Sequence, residues 1–247
     1  MNKKVLMTAA AVAVATVVAA PPVSRIRGGV GPRGVQGAQP AEEQAESQGR
    51  VTIEQFPKVN RTVFAAPSID GPTTVGRCYT RERNWIVLEA KYRTEAKWTD
   101  RLTFTWHVLL ETKTATVKDK EEQAKLSQYS YFNQTVTYVN IPEGAHAAGV
   151  CLPPAYLERF GEPRAIGIVV SNAKGEVLCF GCESSVTGIK SHPAKIEEAF
   201  WADNRIMEAK DPADRTKPMI ERRQGLLDRS KTIWALVNPN DYEAVAQ

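Results

Sequence analysis

Lys97-Trp-Thr-Asp-Arg-Leu-Thr-Phe-Thr-Trp-His-Val-Leu-Leu-Glu-Thr112 alternates along most of its length. Leu102, Phe104, Trp106, Val108 and Leu110 fall on one side of an extended chain, and Thr103, Thr105, His107 and Glu111 on the other. Successive side chains of a strand point to opposite faces, so this period of two marks a sheet with one dry and one wet face. Asn84 to Thr94 repeats the pattern, with Ile86, Leu88, Ala90 and Tyr92 inward and Glu89, Lys91 and Arg93 outward. Further strands are predicted over residues 51–55, 73–80, 129–139, 147–152, 165–171 and 176–186. The last two are joined by Asn172-Ala-Lys-Gly175, a hairpin connection with a glycine available for positive φ. Residues 153–160 suit one or two helical turns.

Short strands with polar connections and little helix predict an all-β fold, a two-sheet sandwich, with an open barrel as the main competitor. The sandwich is expected to span 51–190, followed by a helical and extended C-terminal tail over 191–247 that packs on it. Within the tail, Ile196, Phe200, Trp201 and Met207 recur at roughly helical spacing. Leu226, Leu227, Ile233, Trp234, Leu236 and Val237 form an apolar cluster without a period of its own. Left in water, that cluster would drive association, so it is expected to be buried with Trp234 as its anchor. Arg229 and Lys231 are expected at its rim.

The N-terminus reads as a secretory leader. Lys3 and Lys4 precede an Ala/Val-rich run that ends at Pro21-Pro22, too short for a comfortable span of the bilayer, which takes ~20 apolar residues. The leader is assigned to 1–19, with cleavage exposing Ala20. Residues 20–50 are poor in large apolar side chains and read as a disordered tether, since little surface is available to offset the entropy of ordering. Glycines at 28, 31, 34 and 37 keep a collagen-like period, but so few triplets cannot hold a triple helix. Loss of Lys3 and Lys4 lowers the formal net charge from +4 to +2, which gives no electrostatic case for nucleic acid. No later segment is apolar enough to span a membrane. The expected location is therefore the periplasm or outer surface of a Gram-negative-type bacterium.

Four cysteines, Cys78, Cys151, Cys179 and Cys182, are the sharpest chemical signal. Cys179 and Cys182 form a C-x-x-C inside a predicted strand, where residues three apart point to opposite faces unless Gly181 introduces a bulge. A redox pair needs a helix N-terminus to lower the thiol pKa, and here Glu183 follows at once. Zinc needs a second close pair, which Cys78 and Cys151 do not make. Export and an even count favour at least one disulfide, most naturally a long-range bridge from Cys179 or Cys182 to Cys78 or Cys151. His107, His146 and His192 are scattered, with His107 on the solvent side of its strand. There is no nucleophile elbow around Ser184-Ser185 and no glycine-rich phosphate loop. No catalytic, metal or cofactor residues are assigned. Trp85 and Trp98 fall on the polar-facing side of their strands, as partner or packing anchors together with Trp234. Cover from the second sheet or the tail is the expected fate of the first two.

Phe200-Trp201-Ala-Asp-Asn204 and Gly225-Leu-Leu-Asp-Arg-Ser-Lys-Thr-Ile-Trp-Ala-Leu-Val-Asn-Pro-Asn-Asp-Tyr-Glu243, with the Trp85 and Trp106 strands, resemble exported immunoglobulin-like proteins of Verrucomicrobia encoded beside type IV pilus components. The resemblance covers most of the chain after Val51. It implies an immunoglobulin-like sandwich in the envelope, associated with pilus or secretion machinery, and it transfers no active site. A true pilin would continue its apolar leader as a helix, whereas this chain turns to a Gly/Pro-rich tether. The expected function is therefore a non-enzymatic binding or structural module with envelope or pilus proteins as partners, and with self-association left open. Two alternatives stand beside it: a thiol- or metal-dependent periplasmic protein using Cys179 and Cys182, and a carbohydrate-binding module using Trp85 or Trp98.

Overall fold

Two strands longer than any predicted carry the structure. A computed structural model describes residues 50–66, 83–112, 127–212, 214–235 and 243–245, all within the unit Glu46–Gln247. The leader, the tether before residue 50, the strand expected at 73–80 and Cys78 lie outside the described residues. β1 (Val51–Gln55) and β2 (Val63–Ala65) flank a 3-10 turn at Val59–Arg61. β3 runs from Asn84 to Glu111 and β4 from Tyr129 to Leu152. β5 (Glu162–Asn172), β6 (Val177–Ser184), β7 (Ile220–Arg223), β8 (Leu227–Asp228) and β9 (Glu243–Val245) complete the set.

The all-β, sandwich-like expectation holds, but the pieces are joined differently. The two alternating stretches before and after Thr94 are one strand, β3, and the two predicted at 129–139 and 147–152 are one strand, β4. Both layers therefore come from a single, mostly antiparallel sheet in the order β6-β5-β3-β4-β7. β1 and β2 pair along the first half of β3, on the edge that β5 takes along the second half.

The sheet turns where β3 bulges. Thr94 pairs with Gly144 and Trp98 with Pro142, so Glu95, Ala96 and Lys97 stand opposite Glu143 alone. Extra residues on one strand bend it and increase its twist. β4 accommodates the bend with Asn140 and Gly144 at positive φ, 54° and 131°. The inner faces of the two halves then meet, and Ile86, Leu88, Ala90 and Tyr92 share one core with Leu102, Phe104 and Trp106. Tyr92 lies 4.9 Å from Phe104, centroid to centroid.

Local signals set the remaining corners. Pro154 opens the helix Pro154–Phe160, and Gly161 closes it at φ 82°. At the β5–β6 hairpin, Asn172 Oδ1 accepts from the N–H groups of Lys174 and Glu176, both at 2.9 Å. The outer face of the second half is covered by the segment after β6. Phe200, Trp201 and Met207 lie over Leu109, Tyr131 and Cys182. This segment is less helical than its spacing implied, with a 3-10 turn at Ile196–Glu198 and one α-turn at Asn204–Met207. Its apolar residues pack on Leu109, Tyr131 and Cys182 of the sheet, a surface that an irregular path covers as well as a helix. Among the described residues, no helix is long and apolar enough to cross a membrane.

Candidate functional site: a cationic and aromatic cavity

Among the described residues, nothing fills the outer face of the first half of β3. Val87, Glu89 and Lys91, the outward members of the alternation, form the floor of a cavity of about 480 Å³. One wall is Gln55 at the end of β1, then Phe56, Pro57, Lys58 and Arg61 of the chain after it, and Phe64 of β2. The opposite wall comes from Arg229 and Trp234. The size falls within the range of small-ligand sites.

The far wall is built by Asp228-Arg-Ser-Lys-Thr-Ile-Trp234. β8 pairs Leu227 with Cys151 and Asp228 with Val150, fixing the segment on the edge of β4. Asp228 Oδ1 accepts from the Ser230 N–H at 3.0 Å and starts a 3-10 turn. Thr232 Oγ1 donates to the Arg229 carbonyl at 2.8 Å and accepts from the Trp234 N–H at 3.3 Å. Trp234 is thereby turned onto Phe64, edge to face at 6.2 Å.

Arg229 is not the rim residue expected. It is 3% exposed, and its guanidinium donates to Glu89 at 2.8 Å. Its stem crosses Gly149, where an added Cβ would sit 3.4 Å from Arg229 Cδ and 3.1 Å from the Leu88 carbonyl oxygen. Glycine on β4 opens the path that lets a distant arginine reach the cavity floor. Lys58, Arg61 and Lys91 are exposed and carry no ion pair among the described residues.

The other predicted residues lie elsewhere. Cys179 packs on the inner core, while Cys182 is buried on the outer face with Leu109 and Phe200. Leu178 is an extra residue of β6, between Val177 and Cys179 and opposite the Val170–Ser171 step of β5, and this bulge puts Leu178 on the Cys179 side but leaves the thiols on opposite faces. Cys151 is buried against the tail, where Thr232 Oγ1 lies 3.8 Å from its sulfur. The expected bridge among these three is not formed: Cys151, Cys179 and Cys182 are free thiols held by different surfaces of the sheet. Burial pushes Cys151 and Cys179 up to about 11 and Cys182 to about 12. Thiolate chemistry needs the reverse shift. Among the described residues, no three His, Cys, Asp or Glu side chains converge as metal ligands.

His107 is also not on the solvent side. It is 8% exposed and lies flat beneath Trp201, with ring centroids 4.5 Å apart and planes at 1°. Its Nδ1 is 2.6 Å from the Tyr131 hydroxyl. The covering segment caused this, and alternation within β3 carries no information about it. Burial holds His107 down at about 4 and Tyr131 up at about 12. His146 is buried, its Nε2 donating to the Pro142 carbonyl at 2.8 Å, and His192 is exposed at φ 53°. Trp85 is half-buried opposite Phe64. Trp98 stands 61% exposed at the bulge, where neither layer reaches it.

The cavity itself escaped the sequence reading. Lys58, Arg61, Lys91 and Arg229 have no shared spacing, and only the fold gathers them. The one usable signal was the Asp-Arg-Ser-Lys-Thr texture of the tail, together with outward Glu89 and Lys91 on a strand.

Fold and site together define an all-β, sandwich-like protein with an open cavity rich in cations and aromatic rings. A protein-family model matches residues 42–246, and the chain belongs to that family. Among solved structures, it is similar to a crystal structure of a protein from Akkermansia muciniphila, at 20% identity and a TM-score of 0.53. The match covers 81% of this chain and 95% of that one, and at this identity it speaks for the fold alone. No curated protein matches.

Proposed function

We propose that the chain is a non-enzymatic protein of the cell envelope. It works as an immunoglobulin-like binding and structural module at a type IV pilus or secretion apparatus. The observation that carries the reading is the composition of its cavity. Among the described residues, Glu89 is the one carboxylate in the lining and is engaged by Arg229, and no histidine, cysteine or hydroxyl side chain lines the walls. General acid–base or nucleophilic catalysis needs such groups within reach of one another. Aromatic rings beside exposed cations instead suit recognition of a partner surface. Support for the envelope setting comes from the leader-like N-terminus.

The test is chemical crosslinking in cells of the source organism, followed by purification of the full chain under denaturing conditions. Specific adducts with pilus or secretion components are expected. A chain that crosslinks to nothing in the envelope contradicts the reading.

A further inference from the structure

The cavity is charged out of proportion to the protein. Among the described residues, Lys58, Arg61, Lys91 and Arg229 against Glu89 give it a net +3, compared with +4 for the entire chain. Three of those cations are exposed, and Arg229 behind them is fixed by Glu89. A cleft lined by one sign of charge over low-dielectric walls concentrates ligands of the other sign. The site therefore fits carboxylates. Phe64, 45% exposed, and Trp234 add an apolar shelf beside the charges.

β2 supplies a second feature. The Val87 N–H donates to the Thr62 carbonyl at 2.7 Å, and the Ala66 N–H to the Arg83 carbonyl at 2.9 Å. Bonded and non-bonded positions alternate in an antiparallel pair, so Thr62, Phe64 and Ala66 face β3. The N–H and C=O groups of Val63 and Ala65 then point to the other edge, which no described strand pairs. An unpaired edge beside a pocket is the arrangement that accepts an extended peptide, with main-chain bonds for affinity and pockets for alternate side chains. A flat membrane surface would use neither the depth of the cavity nor the strand edge.

Resting on the binding function proposed above, we infer that the cavity receives an acidic, extended segment of the partner protein. Its carboxylates meet Lys58, Arg61 and Lys91, and an apolar side chain lies on Phe64 and Trp234. Its main chain pairs with Val63 and Ala65.

The probe is a short, doubly capped, fluorescein-labelled peptide with glutamate, phenylalanine and glutamate at every second position and threonine between, read by anisotropy with the full chain. Binding is expected to weaken with added salt and to vanish when glutamine replaces glutamate. Charge reversal at three exposed positions, Lys58→Glu, Arg61→Glu and Lys91→Glu together, is expected to weaken it about tenfold or more. Ala65→Pro removes one outward N–H from an edge strand that tolerates proline, and about fivefold weaker binding is expected. Thermal melts confirm that each variant is folded, and the salt and glutamine arms need no variant. Equal binding of the glutamine peptide overturns the inference, as does a folded triple variant that binds like the parent. So does binding of phosphatidylglycerol vesicles in place of the peptide. An unaffected A65P chain overturns the strand pairing. The two readings fail distinguishably in the cellular crosslinking experiment. A partner captured equally by parent and triple variant removes the cavity but leaves the binding function, whereas no partner for the parent removes both.

Discussion

Acidification tests the burial of His107 without changing a residue. The ring lies between the sheet and Trp201, is 8% exposed, and is held at about 4 by desolvation. In the unfolded chain a histidine titrates near 6.5. Between those two values the unfolded state binds a proton that the folded state refuses, so stability falls as pH falls. The loss begins near 6.5, proceeds at about 1.4 kcal/mol per pH unit, and levels off below about 4 at roughly 3 kcal/mol. At pH 5 it amounts to about 2 kcal/mol. Urea unfolding at pH 7.5 and pH 5.0 gives the difference directly, and His107→Gln supplies the control. The amide keeps a hydrogen-bonding group near Tyr131 but cannot titrate. The variant is expected to be less stable than the parent at pH 7.5 and to lose about 2 kcal/mol less on going to pH 5.0. Contributions from the rest of the chain are common to both proteins and cancel. If parent and variant lose the same stability, His107 is not held neutral under Trp201, and the covering segment is misplaced.

The same packing makes Gly167 sensitive, because a Cβ there would run into the six-membered ring of Trp201. Gly167→Ala is expected to cost about 1–3 kcal/mol by thermal or urea melting, and a variant that melts like the parent contradicts the contact. Arg229→Met strips Glu89 of its partner on the cavity floor. Glu89 is 31% exposed, so the cost should be about 1–2 kcal/mol, below the ~3–5 of a fully buried pair; an unchanged urea midpoint refutes the pairing. Cys151, Cys179 and Cys182 are expected to resist iodoacetamide at pH 7.5 in the folded chain and to react in urea. Rapid native labelling of Cys179 or Cys182 by peptide mapping would revive thiol chemistry.

What was legible beforehand was what alternation encodes. The inward sets Ile86–Tyr92 and Leu102–Leu110 are fully buried, and the opposite facing of Cys179 and Cys182 follows from the same rule. Alternation does not say where one strand ends and the next begins, since a bulge at 95–97 leaves both flanking phases intact. β3 and β4 therefore read as four strands. It is also blind to what lies over a polar face. Thr103 and Thr105 stay half-exposed while His107, on the same face, is buried by a tryptophan 94 positions away in the chain. The cavity failed to register for a similar reason. Its cations come from β3, the loop after β1 and the far tail, and the glycine that admits Arg229 sits on β4. Long-range packing of this kind leaves no local period to read.

The most direct measurement places a photoreactive benzoylphenylalanine at Phe64, on the cavity wall and 45% exposed, in the full chain in its own cells. Lys174, in the β5–β6 hairpin and exposed, carries the same group as a control. Irradiation is expected to yield one discrete protein adduct from position 64, absent from position 174 and lost with the K58E, R61E and K91E reversals. Identical adducts from both positions, or none from position 64, would contradict the account of this protein as a binding module that works through its cationic cavity.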